Sequence, residues 1–111
     1  MGFTQLRVLG GATGRVPAAA TAFAHRDAVV MATVIAGASE ARYAEAVEWA
    51  DAYQAELSDG ATGVYSNFLA DEGSTRLHQA YPGATYERLV QVKRRVDPEN
   101  LFRGNHNIRP D

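Results

Sequence analysis

One apolar run, Ala28-Val29-Val30-Met31-Ala32-Thr33-Val34-Ile35-Ala36, constrains the fold of this chain more than any other feature. It is rich in β-branched residues, and its apolar positions are consecutive rather than alternate. Successive side chains of a strand point to opposite faces, so the run predicts a central strand covered on both. Asp27 offers the turn before it and Gly37 ends it. Extended to Ala38, the run is still too short to cross a bilayer and has no basic flank. Neither a membrane span nor a signal peptide is therefore expected, and a cytoplasmic protein is the default.

Other segments arrange themselves around this strand. Phe3 to Leu9 alternates, with Leu6 and Val8 on one side and Gln5 and Arg7 on the other, as a half-buried strand would. Gly10-Gly11-Ala12-Thr13-Gly14 breaks it, and Thr21 to Arg26 reads as a further short strand. Ser39 suits a helix N-cap, and Tyr43, Val47, Ala50 and Leu57 follow at helical spacing, with Trp49 and Ala46 widening the stripe. Ser58-Asp59-Gly60 stops that helix, and Thr62 to Leu69 alternates once more. Helices are predicted over Ser74 to Ala80 and from about Thr85 to Val96, the second closed by Asp97-Pro98. The expected architecture is α+β: a single domain over 1–111 with an antiparallel sheet of about four strands and helices on one face. Helices cover one face only, so the doubly apolar strand implies a partner on the other.

Charge and cysteine content narrow the function. A net charge of −2 gives no basic excess to displace counterions from a phosphate backbone, so a nucleic-acid partner is not expected. The absence of cysteine removes disulfides, thiolate metal sites and a cysteinyl flavin link. His25, His78 and His106 are scattered, without HxH or HExxH spacing, so no metal site is expected. The glycine-rich stretch at 10–14 lacks the Lys-Ser/Thr ending of a phosphate loop and reads as a turn. His25-Arg26, at a strand end, could face a ligand, but reads first as an exposed strand terminus. Asp71 and Glu72 are adjacent and would point apart in an extended chain, so they make no ready acid/base pair. Lys93-Arg94-Arg95 complements the end of its helix.

Tyr65 and Asn67 stand out by chemistry. Two apart on a strand, they project from one face, so a phenol and a carboxamide can meet the same ligand. On spacing alone the pair reads first as an ordinary strand tyrosine beside a turn-making asparagine.

The order of longer blocks is more specific. Gly63-Val64-Tyr65-Ser66-Asn67-Phe68-Leu69 is followed by Ala80-Tyr81-Pro82-Gly83 and Tyr86-Glu87-Arg88-Leu89. Then come Val92 to Arg103 and Asn105-His106-Asn107-Ile108-Arg109-Pro110. This set resembles the C-terminal segment of berberine-bridge-type, FAD-linked oxidoreductases, with a closing motif over about 63–110. Ala20-Thr21-Ala22-Phe23-Ala24-His25-Arg26 is similar to a strand of that family's substrate domain. The resemblance implies part of the substrate domain of a flavin-linked oxidase, without the N-terminal flavin domain. It implies FAD as cofactor, Tyr65 as the base that removes a substrate hydroxyl proton while hydride passes to flavin, and Asn67, Asn105 and Asn107 against the cofactor. The implied partners are a small-molecule substrate and a flavin-domain chain, without which the segment is inert. The rival expectation is a cofactor-free binding module or enzyme that homodimerises through its vacant sheet face. A decayed fragment is a third.

Overall fold

The structure, a computed structural model, describes residues 1–61, 63–69 and 74–111. Its chain divides into two compact units, Met1–Gly10 with Ala28–Thr62, and Gly11–Asp27 with Gly63–Asp111.

In the first unit β1 (Gly2–Val8) and β2 (Val30–Ala36) form an antiparallel pair, with Gly2 opposite Ala36 and Val8 opposite Val30. The pairing extends one bond beyond the strand ends, where the Leu9 N–H donates to the Val29 carbonyl at 2.8 Å. Ser39 opens a 3-10 turn, Glu40–Arg42, that leads into α1 (Tyr43–Ser58). Ser39 does so without a side-chain capping bond; its carbonyl accepts from the Arg42 N–H at 2.9 Å. Asp59 at φ 43° and Gly60 at φ 81° then take left-handed conformations that end α1 where the sequence predicts. Packing of α1 on the sheet brings the Trp49 indole over Gly2, so closely that a Cβ there would lie 2.6 Å from the ring. Only glycine leaves that space open. The indole also stacks on Tyr53, 5.4 Å between centroids and 12° between planes.

The second unit holds α2 (Ser74–Ala80) and α3 (Ala84–Val96), and with them the buried core among the described residues, Leu77, Ala80 and Asp97. Asp97 ties the tail to α3. Its carboxylate accepts the Leu101 and Phe102 N–H groups at 2.8 and 3.0 Å and pairs with the Lys93 ammonium. The Lys93 hydrogen bond, with those two N–H groups, holds the carboxyl below its ordinary range against the opposing effect of burial. Arg94 donates to the Pro110 carbonyl and fastens the tail a second time.

The α+β class and all three helices agree with expectation, but the sheet of about four strands does not form. Two strands are present among the described residues. Thr21 to Arg26 does not enter a ladder because Arg26 occupies its acceptors. The Arg26 N–H takes the Ala24 carbonyl and its Nε the Phe23 carbonyl, both at 2.9 Å. Residues 63–69 fail as a strand because Ser66–Phe68 coil into a 3-10 turn, closed by the Phe68 N–H on the Tyr65 carbonyl at 2.9 Å. Thr62, the start of that predicted strand, and the Asp71-Glu72 pair lie outside the described residues. Nor is β2 a central strand: β1 is its one partner among the described residues, and Val30 remains half exposed. No helix among the described residues is long and apolar enough to cross a membrane.

Candidate functional site

Tyr65 and Asn67 do meet, by a different route from the one their spacing suggests. Asn67 sits in the 3-10 turn, and the turn curls its carboxamide back so that Nδ2 donates to the Tyr65 phenol oxygen at 2.9 Å. Asn67 itself is exposed, and its carboxamide carries an acceptor oxygen, Oδ1, next to the Nδ2 that holds the phenol. Tyr65 is half buried between two aromatic rings. Phe23 meets it edge-on, with centroids 5.8 Å apart and planes at 86°, and Phe68 leans on it at 5.5 Å. The turn is also held from the α2 side, where the Tyr81 hydroxyl donates to Ser66 Oγ at 3.0 Å.

Two residues beyond Phe23, His25 reaches the other end of the same stretch. Its ring lies against Gly63, so that a Cβ there would fall 2.8 Å from Nδ1, and its Nε2 is 2.8 Å from the Gln79 carbonyl of α2. Phe23 thus faces Tyr65 and His25 faces Gly63, the order of side chains in an antiparallel pair. The two segments that the sequence reads as strands therefore lie side by side, although neither contributes to a ladder. Arg26 secures the first of them. Besides the Phe23 carbonyl it donates to Thr13 at 3.3 Å and Thr21 Oγ1 at 2.6 Å, and its guanidinium lies over the Phe23 ring at 4.9 Å. His25-Arg26 is accordingly an internal clamp and not an exposed strand end. The missed signal was the match of alternation at 23 and 25 with that at 63 and 65.

Asn105 and Asn107 form a separate small turn. Asn105 takes φ 53°, and its carbonyl accepts the Asn107 N–H at 2.9 Å. Among the described residues, no hydrogen bond joins this pair to Tyr65 or Asn67. The Asn107 Oδ1 is buried without a hydrogen-bond partner, and so is the Asn100 Oδ1. A buried acceptor left unmatched is costly, and a ligand with an N–H or O–H group would satisfy it. A flavin ring and its ribityl chain carry such donors, the chemistry that the Asn107 Oδ1 lacks.

Comparison with known proteins points the same way. Residues 64–109 match the "Berberine and berberine like" family model. An uncharacterized FAD-linked oxidoreductase, YgaK, of Bacillus subtilis (strain 168) is 35% identical over 105 residues, covering 94% of this chain and 23% of the relative. The FAD-linked oxidoreductase sorD of Penicillium rubens is 30% identical over 107 residues, covering 92% of this chain and 23% of the relative. The chain thus spans less than a quarter of the length of either curated relative. Tyr65, Asn67, Asn105 and Asn107 all fall inside the matched stretch. The chain carries a berberine-bridge-type segment and is related to these two oxidoreductases.

Proposed function

We propose that this chain supplies the substrate-facing wall of an FAD-dependent oxidoreductase site, with Tyr65 as the base that takes a hydroxyl proton from a small-molecule substrate. The observation that carries the reading is the 2.9 Å hydrogen bond from Asn67 Nδ2 to the Tyr65 phenol oxygen. A base must meet its substrate's proton at a fixed point, and the N–H aimed at the phenol oxygen fixes that point. The surrounding Phe23 and Phe68 rings keep water from part of the phenol, which strengthens the bond. Flavin, when bound, supplies the acceptor for the hydride that leaves the substrate carbon. The work of this chain is to receive the proton at the Tyr65 oxygen, to hold that oxygen with Asn67, and to offer the Asn105–Asn107 turn to the cofactor.

Protein side chains cannot accept a hydride in this way, so the chain alone is inert. Its partner is a flavin-domain polypeptide in the same cytoplasmic compartment. One observation supports a covering partner: the strand pair leaves Phe3, Leu6 and Val8 at 52%, 65% and 87% exposure. Apolar side chains so placed favour a covering surface. The test is to mix the chain with the remaining portion of a relative such as YgaK and record native mass and the visible flavin spectrum. A yellow complex containing both polypeptides is expected. A colourless homodimer of this chain, unmoved by the flavin portion, would refute the reading in favour of a cofactor-free module.

A further inference from the structure

We infer that His25 is a positioning residue for Tyr65, an inference that rests on the reading of Tyr65 as the base. A carbonyl oxygen only accepts, so the 2.8 Å contact with Gln79 requires the hydrogen on His25 Nε2. That bond anchors the imidazole to α2. The anchored ring then presses on Gly63 so closely that a Cβ would lie 2.8 Å from Nδ1 and 3.0 Å from Cε1. Gly63 is two residues ahead of Tyr65, and His25 is two residues beyond the Phe23 ring that meets Tyr65 edge-on. Phe23 and His25 also meet each other edge-on, at 6.2 Å and 79°.

One ring therefore fixes the backbone that leads into Tyr65 and supports the ring that packs against its phenol. The consequence is a phenol held where Asn67 Nδ2 can reach it. A histidine that merely filled space would not need a directed bond to α2. His25 touches no reacting atom and acts on the chemistry through Tyr65 alone.

The test reads the placement of Tyr65 in the full chain by NMR, using the Tyr65 ring and the Asn67 side-chain amide as reporters. Tyr86, whose ring packs on His78 with centroids 4.2 Å apart, serves as the internal control. His25→Ala is expected to shift the Tyr65 and Asn67 signals by more than those of Tyr86. His25→Gln, whose side-chain N–H can still reach the Gln79 carbonyl, is expected to restore them. Unmoved Tyr65 and Asn67 signals in folded His25→Ala would overturn the inference, as would equal shifts in the glutamine variant. Should His25→Ala not fold, Gly63→Ala displaces the same ring without deleting it, and the same two reporters must move. These signals are independent of flavin, so a failure here leaves the role of Tyr65 intact. A failure of that role in turn leaves the placement measurable.

Discussion

Gly63→Ala is the substitution whose cost follows most directly from the geometry. An added Cβ would lie 2.8, 3.0 and 3.3 Å from His25 Nδ1, Cε1 and Cγ, where ordinary contact begins at 3.4 Å. The imidazole must give way by about half an ångström or more. It cannot rotate freely, because Nε2 is bonded to the Gln79 carbonyl and the ring meets Phe23 edge-on. Overpacking of this kind costs about 1–3 kcal/mol, and a lost hydrogen bond about 1 kcal/mol. Gly63 has no positive φ, so alanine also stiffens the unfolded chain and returns about 0.4–1 kcal/mol. The net expectation is a loss of about 1–3.6 kcal/mol. In a His25→Ala background the obstructing ring is gone, and the same substitution should be neutral or slightly stabilising. The two positions should therefore couple by roughly 2–4 kcal/mol in a double-mutant cycle. Urea unfolding followed by far-UV circular dichroism measures it. Fluorescence of Trp49, the single tryptophan, would report the other unit. Equal costs in both backgrounds would refute the steric account of Gly63.

Gly2→Ala should dislodge the Trp49 indole, whose ring atoms lie 2.6 Å from the new Cβ position, and shift its emission to the red. An unchanged spectrum would mean the ring is not seated there. Asp97 governs acid stability. Its folded pKa is lowered, so its stabilisation is present above the ordinary value of 3.8 and is lost as pH falls through and below it. Asp97→Asn should lower the Tm at neutral pH and flatten its fall below about pH 4, measured by thermal scans across that range. An acid limb as steep as in the wild type would place the sensitivity elsewhere. Asn67→Ala in the flavin-loaded assembly should slow flavin reduction about tenfold or less, the worth of one hydrogen bond, and no change would remove Asn67 from the site.

Local signals in the sequence were sound where one segment decided the outcome. Helical spacing from Tyr43 onward and the stop at Asp59-Gly60 locate α1, and Asp97-Pro98 ends α3. Strand assignments failed where side chains competed for backbone groups. Alternation over residues 21–26 is real, but the Arg26 side chain takes the Phe23 carbonyl and the Arg26 N–H the Ala24 carbonyl, which a neighbouring strand would need. Ser66 and Asn67 likewise favour a turn, and no periodicity count registers that preference. The pairing of Tyr65 with Asn67 was legible because residues two apart can converge in a strand or a tight turn alike. The His25–Gly63 contact was not legible, since it joins positions far apart in sequence. Nor does the sequence alone show that Asp97 gathers Lys93, Leu101 and Phe102 about one carboxylate.

The most direct test of the central claim is single-turnover flavin reduction by a hydroxyl-bearing substrate, measured in the flavin-loaded assembly with Tyr65 intact and with Tyr65→Phe. Phenylalanine keeps the ring between Phe23 and Phe68 and removes the oxygen that Asn67 holds. If Tyr65 is the base, reduction slows by about 10²- to 10⁴-fold while substrate affinity changes little. Reduction of Tyr65→Phe at the wild-type rate would contradict the assignment.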